Sequence, residues 1–249
     1  MTKIKDVMLA IVVILVFGFL LLFVYRNEST KTNRELAKRI AELSPRGGPP
    51  QSIDGLKKAI AVYEAQIERN VREGAQTGAY WKILAIRLSD RGMHNDALAA
   101  LERAIYYNAE DPFLFYLTGV SAGTAAKSVA GFSANAREEK EHFYKLSESA
   151  YLRAIELDGA YSKPMYGLGI LYAFELDNPK KAAFYLENYL KLQPTDVSAM
   201  SVLARAHYMN ENFREAIELY EMIISRTKDK NIKADAQNNI DLIERLQHE

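Results

Sequence analysis

The chain has 249 residues, and its 32 Lys plus Arg balance its 32 Asp plus Glu, so its formal net charge is zero. This balance argues against a nucleic-acid-binding protein, which usually carries a basic face. The absence of Cys excludes disulfides, thiolate catalysis and Cys-based metal sites. Only 13 Gly and 7 Pro, among plentiful Ala, Leu, Glu and Lys, favour an all-helical protein.

A short tail, residues 1–6, precedes an uncharged run of 19 residues, 7–25, which reads VMLAIVVILVFGFLLLFVY. As a helix this run spans about 28 Å, close to the hydrocarbon core of a bilayer. The alternatives are a cleaved signal peptide and a buried core helix. We favour a retained single-pass transmembrane anchor, because no A-x-A-like cleavage site follows and nothing downstream needs so uniformly apolar a helix.

The orientation of this anchor has two interpretations. Positive charges are more numerous after the anchor than before it, which would keep the following residues in the cytoplasm. A short tail carrying Lys3 and Lys5 is instead typical of an uncleaved signal anchor, which exports the domain on its C-terminal side. We favour the second, which places the C-terminal domain outside the cytoplasm.

Residues 26–50 predict a juxtamembrane helix followed by a linker. Leu36, Ala37, Ile40 and Leu43 share one helix face, which could be a self-association seam or a plain continuation of the anchor helix. The plain continuation is favoured, because two heptads are too few for a coiled coil. The sequence SPRGGPP at 44–50 then breaks the helix.

Residues 51–77 predict an N-terminal capping helix that begins at Ser52 or Asp54 and ends near Glu73. Its apolar residues recur at helical spacing and are expected to pack on the helices that follow. They are Leu56, Ala59, Ile60, Tyr63 and Ile67.

One pattern then recurs four times between Gly78 and Lys230, at intervals of 34, 50 and 35 residues. Each copy has two phrases of large and small residues at helical spacing. The first phrases are Trp81-x2-Leu84-Ala85-x2-Leu88, Phe115-x2-Thr118-Gly119-x2-Ala122, Met165-x2-Leu168-Gly169-x2-Tyr172 and Met200-x2-Leu203-Ala204-x2-His207. The second phrases are Ala97-x3-Leu101-x2-Ala104, Ser147-x3-Tyr151-x2-Ala154, Ala182-x3-Leu186-x2-Tyr189 and Ala216-x3-Tyr220-x2-Ile223.

Each phrase predicts a helix, because residues three or four apart lie on one helix face. A small residue beside a large one lets two helices approach closely, so each pair of phrases predicts a packed helical hairpin. This period and pattern resemble the tetratricopeptide repeat (TPR). The resemblance implies an α-solenoid of helix-turn-helix repeats with a C-terminal capping helix, which together with the predicted transmembrane helix gives an all-α fold. TPR domains behind a single N-terminal anchor resemble bacterial inner-membrane proteins with an extracytoplasmic (periplasmic) domain, and we expect that localisation. Stacked repeats of this kind present a concave surface.

The resemblance divides residues 78–230 into repeats at 78–111, 112–161, 162–196 and 197–230. The chain departs from the family pattern at Thr118, where Leu is usual, and at Tyr189 and Ile223, where Ala is usual. The Pro that commonly closes a repeat occurs only as Pro194.

The second repeat is 16 residues too long, and the excess lies around an insertion at 123–137, GTAAKSVAGFSANAR. The insertion could form a lid or docking arm with Val129 and Phe132 as exposed apolar tips. It could equally lengthen both helices of the hairpin. Per-repeat insertions are where repeat proteins tend to diversify.

Residues 231–249 predict the C-terminal capping helix, with Ile240, Ile243 and Leu246 facing inward. No residue pattern in the chain indicates catalysis or a metal or cofactor site, since the four His are scattered and His207 replaces a core Tyr. We therefore expect a non-enzymatic protein without cofactors.

The resemblance implies that the first helix of each repeat lines a groove for a protein or peptide. Tyr and Arg often dominate binding energy at such surfaces, although the Tyr could instead pack between repeats. The partner-binding positions implied are Lys82, Ile86, Phe113, Tyr116, Val120, Lys163, Tyr166, Ile170, Phe174, Ser201, Arg205, Tyr208 and Met209. The chaperone-type carboxylate clamp is not expected, because no Asn stands at the matching places.

Three functions follow as hypotheses. The first is a membrane-anchored scaffold or adaptor that binds a partner in its groove, in the assembly of an envelope complex. The second is a self-associating structural protein, a homo-oligomer whose contacts are the juxtamembrane seam and the 123–137 insertion. The third is a small-molecule binder with a pocket under that insertion.

Overall fold

A computed structural model of the protein describes Lys38, residues 52–130 and residues 135–248. The chain divides into two compact units between Glu73 and Gly74. The described residues form nine helices, which are, in chain order, α1 (Ile53–Asp90), α2 (His94–Tyr107), α3 (Pro112–Ser128), α4 (Ala136–Leu157), α5 (Ser162–Phe174), α6 (Pro179–Leu192), α7 (Val197–Met209), α8 (Phe213–Arg226) and α9 (Lys230–His248).

The predicted tail at 1–6 and the anchor at 7–25 lie outside the described residues, as does the juxtamembrane region at 26–50 apart from Lys38. None of the helices that the structure does describe is both long and apolar enough to cross a bilayer.

Helix α1 is one continuous helix of 38 residues where the sequence analysis predicted two. Ser52 caps its start, because its Oγ accepts a hydrogen bond from the backbone N–H of Gly55 at 3.1 Å. Gly74 and Gly78 do not end it, since a glycine inside a helix costs only about 1 kcal/mol. Gly78 also has a packing role, because a Cβ there would lie 2.6 Å from Tyr107 Cβ.

The predicted inward-facing side of the 51–77 segment is largely open to solvent, which corrects the sequence-based expectation. Leu56, Ile60, Tyr63 and Ile67 are all exposed, whereas Ala59 is buried. The helical spacing of these residues was predicted correctly, but an apolar face need not be covered within its own chain.

The second unit is built from helices that pack in sequence order. Contacts join α3 to α4, α5 to α6 and α7 to α8 within hairpins, and further contacts join each hairpin to the next. The first helices of neighbouring hairpins also touch, α3 with α5 and α5 with α7. The C-terminal part of α1 enters the same array, because Ala85 shares a core cluster with Leu101 of α2 and Leu114 of α3.

The small residues of the repeated phrases lie where helices cross most closely. Gly119 and Gly167 flank the buried ring of Tyr151, and a Cβ at either glycine would come within 2.6 Å of that ring. A Cβ at Gly169 would lie 2.4 Å from Leu186 Cγ. The small residues that stand beside large ones in the repeated phrases therefore mark positions where two helices approach closely.

The long second repeat is an extended helical hairpin. Helix α3 has 17 residues where its counterpart α5 has 13, and α4 has 22 where α6 has 14. Most of the extra length therefore lies in the helices. Val129 is half-buried at the end of α3, and Phe132, the other predicted tip, lies outside the described residues.

Side chains cap the helices and shape the turns of the array. Asp111, Asn178 and Asp196 each accept a hydrogen bond from the backbone of the helix that follows. Gly92 has a φ of 75°, which suits the turn between α1 and α2, and Asp177 has a φ of 45°. Asp177 occupies the turn of the third repeat, where the sequence has one extra residue.

Helix α9 closes the array as the sequence predicts, with one correction. Ile240 and Ile243 are buried together with Ala236 against α8. Leu246, which was predicted to face inward, is 46% exposed. It lies at the end of α9, beyond the buried cluster formed with α8.

Candidate functional site

The predicted partner-binding residues lie on α1, α3, α5 and α7, the first helices of the four hairpins. We call this surface the first-helix face. Its neighbouring helices are joined by three contacts of a cation with an aromatic ring. The Lys82 Nζ lies 4.7 Å from the Phe113 ring centroid, the Lys163 Nζ 5.9 Å from that of Tyr116, and the Arg205 Cζ 5.1 Å from that of Phe174.

The first of these cations is already neutralised. Lys82 Nζ donates a hydrogen bond to Asp111 Oδ2 at 2.6 Å, and Asp111 also caps α3 through the backbone N–H of Phe113. Lys82 therefore ties the first repeat to the second. Ile86, one turn further along α1, is half-buried.

Tyr116 sits at the centre of an aromatic cluster between the second and third repeats. Its ring centroid lies 6.2 Å from those of Phe113 and Tyr151 and 5.5 Å from that of Tyr161. Burial raises the pKa of Tyr116, and it raises that of Tyr161 to about 12 with help from nearby acidic groups. Much of Tyr116 therefore serves packing between repeats, which was the alternative to partner binding.

Tyr166 has a similar double role in the third repeat. Its ring lies 5.2 Å from that of Tyr189, whose hydroxyl donates to Asp196 Oδ2 at 2.7 Å. Burial and this hydrogen bond raise the pKa of Tyr189 to about 12. Like Tyr116, Tyr166 stays half-exposed on the first-helix face.

A small groove of about 140 Å³ brings together Val120 and Ile170 of the predicted set. Tyr144 and Glu175 form its polar side, where the Tyr144 hydroxyl donates to Glu175 Oε2 at 2.6 Å and Lys127 Nζ lies 3.0 Å from Oε1. Burial opposes ionisation of Glu175, but these two partners outweigh it and lower its pKa. Burial and the bond to Glu175 raise the pKa of Tyr144 to about 12.

A groove of about 490 Å³ lies between α7 and α9 on the first-helix face, and we call it the C-terminal groove. It gathers four predicted residues, Phe174, Ser201, Arg205 and Tyr208. Arg205 is exposed, and no carboxylate among the described residues forms a salt bridge with it. Arg205 is thus a charged donor that is left available in this groove.

The C-terminal groove also contains residues that sequence reasoning missed, because α9 was predicted only as a solvating cap. Asp235 and Asn239 of α9 face Arg205's helix across the groove, and Ile232, Leu242 and Ile243 add apolar surface. A signal was present in the sequence, since α9 occupies the position that the first helix of a fifth repeat would have.

Among the remaining predicted residues, Met209 is half-buried at the end of α7. Ser201 Oγ donates to the carbonyl of Val197 at 3.0 Å, so its hydroxyl is engaged within its own helix. Lys163 is exposed beside Tyr116. The predicted set thus occupies one face, with Val120 and Ile170 in the small groove and four C-terminal members in the C-terminal groove.

A second groove, of about 720 Å³, lies on the other side of the array between α2 and the α3–α4 hairpin. Its walls are mainly apolar and include Leu98, Phe115, Phe143 and Leu146. A smaller groove of about 300 Å³ adjoins the end of α3 at Ser128 and Val129. Neither contains a residue of the predicted set.

The described residues contain no cluster of three His, Asp or Glu side chains that could hold a metal ion. His207 is a packed ring, with its side chain 12% exposed and its Nε2 3.6 Å from Glu187 Oε1. This contact joins α7 to α6.

Comparison with known proteins matches the fold to one family. A family model described as tetratricopeptide repeat matches residues 173–236. The structure of TTC0263, a thermophilic TPR protein of Thermus thermophilus, is 20% identical and covers 73% of this chain and 92% of its own, with a TM-score of 0.53. The structure of MamA 41-end from Desulfovibrio magneticus RS-1 is 16% identical, covers 69% and 96%, and has a TM-score of 0.53.

At these identities the two structures show likeness of fold alone, and a search of curated proteins found no match. The family match covers the end of α5, helices α6, α7 and α8, and the start of α9. The same large–small phrases and the same order of packing extend through the earlier hairpins. Residues 173–236 therefore match the tetratricopeptide repeat, and the fold of the described helices resembles that of solved TPR proteins.

Proposed function

We propose that the protein is a scaffold or adaptor that binds a protein or peptide partner on its first-helix face, chiefly in the C-terminal groove. Arrays of this fold carry no built-in set of catalytic side chains and act through the surfaces that they present. The observation that carries the proposal is Arg205, an exposed guanidinium over an aromatic ring, in a groove with apolar walls and no carboxylate partner among the described residues.

The chemistry of the groove defines the partner that would fit. A guanidinium binds carboxylates through paired, charge-assisted hydrogen bonds. Phe174, Ile232 and Leu242 offer an apolar surface beside it, and Asp235 adds an acceptor on the opposite wall. We therefore propose an extended peptide segment that carries an acidic residue for Arg205 next to an apolar side chain.

The cellular setting belongs to the same proposal. The apolar run at 7–25 would anchor the array to a bacterial inner membrane, with the repeats on the extracytoplasmic side. A tethered array of this kind would hold its partner close to the membrane and so assist the assembly of an envelope complex.

A pair of matched double variants tests the groove. Phe174→Ala/Arg205→Ala removes two exposed groove residues, whereas Phe184→Ala/Arg214→Ala removes two exposed residues of the same types from the second helices α6 and α8. The full chain and both variants would be used to capture partners from membranes of the source cells.

The proposal predicts that the groove variant loses a partner that the control variant retains, by at least about tenfold, since truncating binding residues of these types commonly costs more than 1 kcal/mol each. Equal recovery with both variants would reject the groove as the binding site. Circular dichroism of the two variants should match that of the wild type, because the four side chains are exposed.

A further inference from the structure

An apolar stripe runs along the N-terminal part of α1 and is left uncovered. Its members are large, and between 41% and 73% of the surface of each residue is exposed. They are Ile53, Leu56, Ile60, Tyr63 and Ile67. A helix of a globular protein normally buries its apolar stripe, and contiguous exposed apolar surface marks an interaction site.

The covered side of this helix is a different one. Ala59 is only 9% exposed, and Val62 is half-buried. The exposed stripe and the covered side are therefore two different faces of this helix.

The spacing of the stripe is that of a coiled coil. Ile53, Ile60 and Ile67 follow one another at intervals of seven residues, and Leu56, Tyr63 and Asn70 do the same. These are the a and d positions of three consecutive heptads, and five of the six residues are apolar, with the polar Asn70 at the last d position. A strict seven-residue repeat keeps the stripe facing a partner helix, whereas packing on a globular body needs no such register.

The residue types point to a second copy as the partner. A β-branched residue at every a position, with Leu at a d position, favours two parallel strands. Among the flanking positions, Ala59 stays on the covered side of the helix, and a parallel pair would bring the half-buried Gln66 near the exposed Val71 of the second copy. This contact does not place like charges together.

We propose that residues 53–73 of α1 form a parallel, in-register two-stranded coiled coil with the same segment of a second copy of the chain. The protein would then be a homodimer in which two repeat arrays are joined through their N-terminal helices. The surface is separate from the seam at 36–43 and the insertion at 123–137, where sequence reasoning placed self-association.

Disulfide trapping tests this geometry directly, because the chain has no Cys of its own. Ile53→Cys, Ile60→Cys and Ile67→Cys would each be made in the full-length chain, purified in mild detergent and oxidised with copper phenanthroline. Residues at matching a positions of a parallel pair lie within the roughly 4.4–6.8 Å between Cα atoms that a disulfide requires. Lys58→Cys, on the opposite side of the helix, is the matched control.

The expected result is a covalent dimer from each of the three a-position variants and little from Lys58→Cys. Three results would overturn the proposal: a monomer from Ile60→Cys, equal yields from Lys58→Cys, or cross-linking only in a mixture of Ile53→Cys with Ile67→Cys. The last pattern would indicate antiparallel helices, and a monomer would indicate that another segment or another protein covers the stripe.

Light scattering of cysteine-free variants gives a second, independent readout. Ile60→Glu should convert a dimer to a monomer without loss of helix content, because the side chain is exposed in the folded chain. Lys58→Glu should leave the dimer intact. A dimer that survives Ile60→Glu would place the contact elsewhere and contradict the proposal.

Discussion

Substitution of Gly119 by Ala should destabilise the array, although alanine is the better helix former. A Cβ at position 119 would lie 2.4 Å from Cε1, 2.5 Å from Cδ1 and 2.8 Å from Cζ of Tyr151. The ring cannot retreat, because a Cβ at Gly167 on its other side would already lie 2.6 Å from Cζ. The Tyr151 ring thus occupies a slot between two glycine backbones.

The magnitude follows from two opposing terms. Alanine gains about 1 kcal/mol over glycine inside a helix. Overpacking a well-filled core costs about 1–3 kcal/mol, occasionally more, and the closed slot argues for the upper end. We therefore expect a net loss of about 2 kcal/mol, which corresponds to a decrease in Tm of about 4–8 °C for a chain of this size.

The assay is thermal and urea unfolding of the full chain, followed by circular dichroism. Gly74→Ala is the matched control, because a Cβ there would make only an ordinary contact of 3.9 Å with Tyr107. The control should be as stable as the wild type or slightly more so. A Gly119→Ala protein as stable as the wild type would refute the reasoning.

A double variant separates the steric overlap of the new methyl group with the Tyr151 ring from other effects of Gly119→Ala on stability. In a Tyr151→Leu background the added methyl group meets a smaller side chain, so Gly119→Ala should cost clearly less than in the wild type. An unchanged cost in that background would show that the penalty arises elsewhere, for example from loss of the hydrogen bond that Ser147 Oγ donates to the Gly119 carbonyl at 2.8 Å.

Two further predictions concern hydrogen bonds of the array. Asp196→Ala should lower the free energy of unfolding by about 1–2 kcal/mol in urea titrations, because it removes a cap that accepts from the N–H groups of Ser198 and Ala199; a loss below about 0.5 kcal/mol would contradict this role. The contribution of Tyr144 and Tyr189 to stability should be fully present below about pH 10 and be lost toward pH 12, because their raised pKa values mean that the unfolded chain releases these protons first. Unfolding at pH 8 and pH 11 should show a smaller decrease in Tyr144→Phe than in the wild type, and an equal decrease would reject this assignment.

The repeated hairpins were predictable from the sequence because their signal is local. The small residues Ala85, Gly119, Gly169 and Ala204 mark helix crossings, and all four are buried where the phrases place them. Close approach of two helices requires a small side chain at a fixed distance from a large one. Each first phrase meets that requirement within eight residues of sequence. The hairpins could therefore be predicted without knowing which distant residues are in contact.

The continuity of α1 was harder to predict from the sequence than the hairpins were. The sequence analysis ended the capping helix near Glu73 and began the first repeat at Gly78, but Gly78 lies inside α1, where its lack of a side chain allows the close approach of Tyr107. A glycine that ends a helix and one that admits a neighbour look alike until the neighbour is known. The exposure of Ile60 and Ile67 could not be predicted either. The periodicity of apolar residues identifies an apolar helix face but does not show which part of the chain, if any, packs on it.

The residues of the candidate site could be placed on one face from the sequence, whereas the composition of its groove could not be predicted. The rule that first helices line the groove placed Phe174, Arg205 and Tyr208 together, and the structure gathers them in the C-terminal groove. It could not distinguish Arg205, which lacks a salt bridge among the described residues, from Lys82, which is paired with Asp111. It also omitted Asp235, because the opposite wall comes from a helix outside the repeats.

Site-specific photo-crosslinking would test the central claim, that this array binds a partner through its first-helix face, most directly. A benzoylphenylalanine placed at Phe174 of the full chain lies in the C-terminal groove, whereas one at Phe184 lies on a second helix with similar exposure. The account predicts that light produces a covalent adduct with one protein partner from position 174 and not from position 184 in the source cells. Adducts from position 184 alone, or the same adducts from both positions, would contradict it.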